Sequence, residues 1–351
     1  MYPALATIAA LGQRADVLWL GSKGGMEAGL VQRAGIPFEA VPAAGLHGVG
    51  LRSLPGNLAA LVRGTQAAGR IIRAFRPQVM LLTGGFVGVP AALAGGGVRK
   101  VLYVPDIEPA LAARMISRLA SVVAVTAEES RRFYPRRSRV IVSGYPTRPD
   151  LEPGSKVEAR QRLGVSTDGR VIVVLGGSRG ARSINEALWT GLARLLPMAQ
   201  VIHLTGQLDF PRAVETRGGL TPEGKARYFP VAYLHEEMAS AYAAADLAIG
   251  RAGASSLGEL PLFALPSILV PYPHAWRYQH VNADYLTQRG AAVTVADERV
   301  GSDLVPTALT LLSDPGRLAA MSTAARRQAS PEAARRIADL LEDQAHAGGA
   351  A

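Results

Sequence analysis

The sequence predicts an α/β protein built as two doubly wound domains facing a cleft. Three observations carry that expectation. Short apolar runs alternate with segments of helical periodicity along all 351 residues, the pattern of a mostly parallel sheet covered by helices. That length suits two hydrophobic cores. Between the halves lies GYPTRPDLEPGSK (Gly144–Lys156), which holds three prolines and no periodicity and reads as a linker.

In chain order, Tyr2–Leu11 reads as a helix because Leu5, Ile8, Ala9 and Leu11 recur at helical spacing. Strands are then expected at Val17–Leu20, Phe38–Val41, Val79–Leu82, Val101–Val104, Val122–Val125 and Val140–Val142, with a helix at Asn57–Phe75. In the second half strands are expected at Val171–Leu175, Val201–Leu204, Tyr228–Val231, Leu247–Ile249, Ile268–Val270 and Ala292–Val295. Helices fall at Ile184–Leu195, Glu236–Ala244, Ser255–Phe263 and Tyr278–Gln288. The expected domains are residues 1–147 and 148–346, with the last helix packing back on the first domain and a disordered tail at 347–351.

Composition narrows the function classes. Hydrophobic residues make up 48%, yet no apolar run reaches the roughly 18 to 20 residues of a bilayer span. No secretory signal is visible, and the absence of cysteine excludes disulfides, thiolate metal sites and cysteine nucleophiles. A cytoplasmic protein, soluble or peripheral, is expected. Its charge is lopsided: residues 1–150 carry 18 Lys and Arg against 8 Asp and Glu, whereas residues 151–351 carry 20 of each. The excess suits a basic surface kept for solubility, an anionic membrane surface or nucleic acid. Nucleic acid is disfavoured because no recognition motif accompanies the charge.

Glycine-rich turns follow several strands. In VIVVLGGSRGARSIN (Val171–Asn185) a strand runs into Gly176, Gly177, Ser178, Arg179 and Gly180 before a helix starts near Ala181. Such a turn brings backbone close to a ligand, and the helix start offers N–H groups and a positive dipole end to an anion. It is neither a P-loop nor a GxGxxG fingerprint, and a plain tight turn is the alternative. Gly84-Gly85 in LLTGGFVGVP repeats the arrangement in the first half. In GRAGASSLGEL (Gly250–Leu260), the small residues Ala252, Gly253, Ala254, Ser255 and Ser256 form the mouth of a helix. Glu259 there lies on the face of Ser255 and Ser256, where a carboxylate accepts ribose hydroxyls or simply meets solvent. PYPHAWRYQHVNA (Pro271–Ala283) gathers His274, Trp276, Arg277, Tyr278, Gln279, His280 and Asn282, a donor density that suits a sugar. Metal is disfavoured, since no ligand spacing links these imidazoles to Asp284.

Seven motifs in order resemble the MurG family, membrane-associated glycosyltransferases that make lipid II in peptidoglycan synthesis. They are GSKGGMEAGLV (Gly21–Val31), GLHGVG (Gly45–Gly50), Gly84-Gly85, GYPTR (Gly144–Arg148), GGSRGA, RAGASSLGE and YQHVNA. The resemblance covers nearly the whole chain. It implies the two-domain GT-B architecture and inverting transfer of N-acetylglucosamine from UDP-GlcNAc to undecaprenyl-pyrophosphoryl-MurNAc-pentapeptide (lipid I), with neither metal nor cofactor. It also places Ser178 on the donor diphosphate, Ala254 to Glu259 around the donor with Glu259 on the ribose, and Gln279 on the GlcNAc hydroxyls. Leu234 would read uracil through its backbone, and Arg148 matches the arginine after the family's Gly-Asn-Pro, here Gly-Tyr-Pro.

The chain departs from the family after its fourth strand. Where Glu-Gln-Asn is common, it has Pro105-Asp106. Asp106 reads either as a general base on the acceptor hydroxyl, its pKa raised by burial, or as the N-cap of a helix from Glu108 onward. That departure keeps open a related GT-B transferase with another lipid or glycan acceptor, and a donor-binding protein without activity.

Family members dock on the cytoplasmic leaflet of the bacterial cell membrane as peripheral proteins. The matching candidates are Arg63, Arg70, Arg73 and Arg76, among Leu61, Val62, Ile71, Ile72 and Phe75, and Arg131, Arg132, Arg136, Arg137 and Arg139 around Phe133-Tyr134. The family also begins with a strand and a Gly-Gly-Thr-Gly-Gly-His loop followed by a hydrophobic residue, an aromatic and proline. Tyr2-Pro3 matches the aromatic and proline, so Met1 sits where the family often has valine. The expectation is a natural chain starting roughly 15 residues earlier, a strand plus its loop, with Met1 written for an internal GTG valine codon.

Overall fold

The computed structural model describes residues 1–22, 27–42, 54–176, 180–273 and 277–349. The chain folds as two compact units, Met1–Arg148 joined by the C-terminal segment from Pro331, and Pro149–Ser330.

The first unit runs α1 (Tyr2–Leu11), β1 (Trp19–Ser22), α2 (Glu27–Arg33), β2 (Phe38–Val41), α3 (Leu54–Phe75), β3 (Val79–Leu82), α4 (Gly85–Ala94), β4 (Arg99–Val104), α5 (Leu111–Ser117), β5 (Val122–Val125) and β6 (Val140–Val142). β1 and β2 pair in parallel, and β3-β4-β5-β6 form a separate parallel sheet. Val101 to Val104 are all buried, as expected of a strand covered on both faces. Leu102, Val104, Val123 and Val125 pack on one side against Ala68 and Ile72 of α3, Val89 and Ala92 of α4 and Ile116 of α5. Val101, Tyr103, Val122 and Ala124 pack on the other against Leu11 of α1 and Ile337, Ala338 and Leu341 from the end of the chain.

β1 begins at Trp19 rather than at the expected Val17. Trp19 N–H donates to Pro37 O at 2.9 Å and the register opens at Trp19↔Phe38. Pro37 has no N–H to carry the ladder further back.

The second unit runs α6 (Lys156–Arg162), β7 (Arg170–Leu175), α7 (Arg182–Leu195), β8 (Ala199–Leu204), α8 (Phe210–Gly218), α9 (Pro222–Lys225), β9 (Tyr228–Val231), α10 (Met238–Ala244), β10 (Leu247–Gly250), α11 (Glu259–Leu262), β11 (Ser267–Leu269), α12 (Tyr278–Gln288), β12 (Ala292–Thr294), α13 (Val300–Leu312) and α14 (Pro315–Arg326). All its strands are parallel in the order β12-β11-β10-β7-β8-β9. The chain therefore leaves β7 toward one edge and returns to β10 on its other side, which makes β7/β10 the topological switch point where α/β sheets hold ligands. Ile184, Leu188 and Leu192 of α7 and Leu304, Ala308 and Leu311 of α13 form the core with Ile172, Val174 and Ile249.

Two expected segments differ. The helix expected over Ser255–Phe263 is split into a 3-10 turn at Ala254–Leu257 and α11 from Glu259. Pro261 explains the break, because it cannot donate back to Leu257 and its ring would collide with that carbonyl. At the other end, α15 (Ala333–Gly349) packs with the first unit and continues through Ala347–Gly349, where disorder was expected. Arg14 pairs with Glu342 at 2.6 Å, and Arg99 donates to Gln344 at 3.3 Å.

Candidate active site

The turn between β7 and α7 is shaped by crowding. Gly176 N–H donates to Leu204 O at 2.9 Å, and a Cβ there would lie 2.7 Å from that oxygen. Gly180 has φ of 81°, and a Cβ on it would strike Thr205 O. Both positions therefore need glycine. Gly177 and Ser178 lie outside the described residues. α7 starts at Arg182, with Ala181 as N-cap and no side-chain cap, so its first N–H groups and dipole are available to an anion. In the first unit, Gly84 and Gly85 have φ of 81° and 76° and lead into α4, again without a side-chain cap. A Cβ on either would meet nothing, so left-handed backbone alone requires glycine there.

At the switch point the loop after β10 is pinned from several sides. Arg251 donates to Asp297 Oδ1 at 2.6 Å, to Ser183 Oγ at 2.9 Å and to Val270 O at 3.2 Å, and its guanidinium lies 5.2 Å from the Tyr272 ring centre. Ser256 Oγ donates to Arg251 O at 3.0 Å, and Asn282 Nδ2 donates to Ala252 O at 3.1 Å. Ala254 and Ser255 are half-buried, whereas Leu257 and Gly258 are buried. Glu259 is also buried and accepts a hydrogen bond from Tyr242 Oη at 2.7 Å.

This corrects two expectations. Ser255, Ser256 and Glu259 do not share one helix, because Pro261 breaks it, and Glu259 is not a solvated surface carboxylate. Gln279, in the first turn of α12, accepts from Tyr272 N–H through Oε1 at 2.9 Å, so its amide oxygen holds the loop after β11. Leu234 is half-buried in the loop after β9, beside an edge-on contact of Tyr233 with His235 at 4.7 Å.

Asp106 is half-buried in a bend after β4. It caps no helix, since α5 starts at Leu111 behind Ala110, which removes the capping alternative. The bend is tied down by Thr126 Oγ1, which donates to Pro105 O at 2.7 Å and so accepts from Tyr103 Oη at 3.0 Å. Burial foremost, then Tyr145 and least of all Asp106, push the Tyr103 phenol well above its usual pKa, against the hydrogen bond with Thr126. Glu108 is buried and paired with Arg114 at 2.9 Å. The Arg148 guanidinium lies 4.8 Å from the Tyr2 ring centre.

The basic candidates are all exposed, whereas the apolar ones range from exposed to buried. Arg63, Arg70, Arg73, Arg76, Arg131, Arg132, Arg136, Arg137 and Arg139 are exposed. Val62, Phe75, Leu93, Leu111 and Met115 are exposed on α3, α4 and α5, whereas Ile72 and Tyr134 are buried in the core. Among the described residues, no helix is long and apolar enough to cross a membrane, and no group of three His, Asp or Glu could hold a metal.

Sequence reasoning missed the Arg251–Asp297–Ser183 cluster and the Tyr242–Glu259 bond. An arginine directly after a strand at the switch point was a signal for the first. The second had none, because Tyr242 and Glu259 lie on separate helices.

Residues 1–125 match the glycosyltransferase family 28 N-terminal domain, and residues 171–337 match the glycosyltransferase family 28 C-terminal domain. The chain is 40% identical to the UDP-N-acetylglucosamine–N-acetylmuramyl-(pentapeptide) pyrophosphoryl-undecaprenol N-acetylglucosamine transferase of Desulforudis audaxviator, over 99% of this chain and 96% of that protein. It is also 40% identical to the protein of the same name from Roseiflexus, over 94% and 84%. The crystal structure of Acinetobacter baumannii MurG superposes with a TM-score of 0.77 at 25% identity, covering 97% of this chain and 95% of that one. With both domain matches, near full-length relatives and two parallel α/β units carrying glycine turns at their strand ends, the chain belongs to the MurG family within glycosyltransferase family 28.

Proposed function

We propose that the chain transfers N-acetylglucosamine from UDP-GlcNAc to the MurNAc sugar of undecaprenyl-pyrophosphoryl-MurNAc-pentapeptide, converting lipid I to lipid II. The observation that carries this reading is the uncapped start of α7 behind the Gly176–Gly180 turn, next to the pinned Arg251–Glu259 loop. A nucleoside diphosphate needs both features: an anion position, and a shaped pocket for the sugars beside it.

In this reading the acceptor hydroxyl oxygen attacks the anomeric carbon of GlcNAc from the face opposite the diphosphate. The bond to the diphosphate oxygen breaks, and UDP leaves with one more negative charge. Ser178 and the N–H groups at the start of α7 receive that charge as it develops. Glu259, its orientation fixed by Tyr242, accepts the ribose hydroxyls. Ala254, Ser255, Ser256, Leu257 and Gly258 wall the pocket, Gln279 meets the GlcNAc hydroxyls and Leu234 reads uracil. Gly84 and Gly85 serve the acceptor side together with Arg148. Asp106 takes the acceptor proton as general base.

The protein acts peripherally at the cytoplasmic face of the cell membrane, where the acceptor's lipid resides. The exposed apolar residues of α3 to α5, with arginines beside them, support this. Calorimetric titration with UDP-GlcNAc, followed by turnover with a lipid I analogue, tests the reading. Binding with turnover is expected. Absence of UDP binding would sink it, and binding without turnover would leave a donor-binding protein.

A further inference from the structure

Behind the β7–α7 turn lies a buried polar relay that the proposed reaction does not itself use. Trp189 Nε1–H donates to Tyr228 Oη at 2.9 Å, and Tyr228 Oη lies 2.9 Å from His203 Nδ1. His203 Nε2 lies 2.9 Å from Asn185 Oδ1. Asn185 Nδ2 donates to Thr205 O at 3.0 Å and to Asp209 Oδ2 at 2.9 Å, and Arg182 pairs with Asp209 Oδ1 at 3.1 Å. His203, Asn185 and Tyr228 have no exposed surface.

The carboxylate end of this relay fixes the protons. A carboxylate only accepts, so Asn185 turns its NH₂ to Asp209 and its oxygen to His203. His203 Nε2 therefore donates, and in the neutral imidazole Nδ1 accepts the Tyr228 hydroxyl hydrogen while the Tyr228 oxygen accepts from Trp189. Burial pushes the His203 pKa down to about 3, partly opposed by the charge of Asp209, and burial pushes the Tyr228 phenol up to about 12, partly offset by the Trp189 hydrogen bond. Neither His203 nor Tyr228 changes charge near neutral pH.

The relay ends on the atom that shapes the turn. Thr205 O, held by Asn185, is the oxygen against which Gly180 packs with no room for a side chain. Asn185 also sits in the first turns of α7, beside Arg182 and Ser183. We propose that His203 and Tyr228 are positioning residues for the nucleoside diphosphate: they lock the Asn185 amide, which sets the Thr205 carbonyl and hence the position of Gly180 and the start of α7. The inference rests on the donor site proposed above. Distance from the sugar does not weaken it, because a rigid packed path carries a small displacement without absorbing it.

The test measures UDP affinity by calorimetry for the full chain and for Tyr228→Phe, His203→Gln and Leu311→Val. Tyr228→Phe loses one hydroxyl, and Leu311→Val changes a residue of the same core that supplies none of the relay's hydrogen bonds. UDP affinity should fall about tenfold or more in the two relay variants and stay within about twofold in Leu311→Val. In turnover the loss should appear in the donor KM rather than in kcat. Nitrogen-15 spectra of the imidazoles should show His203 as the neutral Nε2–H form at pH 7. Unchanged UDP affinity in folded Tyr228→Phe and His203→Gln would overturn the relay alone, as would an Nδ1–H or charged His203. A parallel loss in an equally destabilised Leu311→Val would reduce it to stability. No UDP binding by the unaltered chain would sink the donor site and the relay together.

Discussion

Acidification from pH 7 to pH 5 should weaken the second unit through one imidazole. His203 titrates near 6.5 when the chain is unfolded and at about 3 when it is folded. Below pH 6.5 the unfolded state therefore takes up a proton that the folded state refuses, and mass action favours unfolding. The contribution is negligible at pH 7, grows as pH falls below 6.5, and levels off near pH 3. Between pH 6.5 and pH 5 one proton differs over 1.5 pH units at about 1.36 kcal/mol per unit, or about 2 kcal/mol. Carboxylates also titrate in this window, so the measurement is a difference. Urea unfolding of the native chain and of His203→Gln at pH 7 and pH 5, followed by the fluorescence of the three tryptophans, isolates the imidazole. The native chain should lose about 2 kcal/mol more than the variant. Equal losses would mean that His203 is charged or solvated in the folded protein, contrary to its bonds with Tyr228 and Asn185.

Other outcomes rest on the same structure. Gly180→Ala forces φ of 81° on a residue with a Cβ and drives that carbon into Thr205 O; calorimetry should show UDP binding lost and thermal unfolding a stability loss above about 1 kcal/mol. Tyr242→Phe leaves buried Glu259 short of a charged hydrogen bond, which should cost about 1.5–3 kcal/mol in denaturant unfolding. Asp106→Asn should lower kcat by about 10²–10⁴ while leaving UDP affinity unchanged, and should remove the acid limb of the pH–rate profile. Vesicles of anionic lipid should sediment the protein at low salt, each basic side chain contributing about 1 kcal/mol, and release it at high salt; equal sedimentation with neutral vesicles would refute that surface.

Strands were legible where a buried parallel run left no choice of face, as in Val122–Val125, whose ends agree with the sequence reading. Errors arose where a proline acted at a distance. Pro37 set the start of β1 from the neighbouring strand, and Pro261 cut a helix that periodicity alone had extended. The Gly176 and Gly180 positions were readable as a turn because glycine is a local signal. Their cause, the carbonyls of Leu204 and Thr205, comes from another strand and was not. The relay through His203 was equally silent, since residues at positions 185, 189, 203 and 228 meet only once β8 and β9 are paired. Asp106 was visible as a departure, but its freedom from capping duty needed the observed start of α5.

The first unit takes its last helix from the far end of the chain, and this inverts the usual order of biosynthesis. Domains made first ordinarily finish first. Here a nascent chain stalled after Ser330 already holds every residue of the second unit, while the older segment still presents Val101, Tyr103, Val122 and Ala124 uncovered. Only when Ile337, Ala338 and Leu341 leave the ribosome can that sheet close. A late frameshift or a proteolytic nick near residue 331 would therefore disable the half of the protein translated earliest and leave the second unit intact.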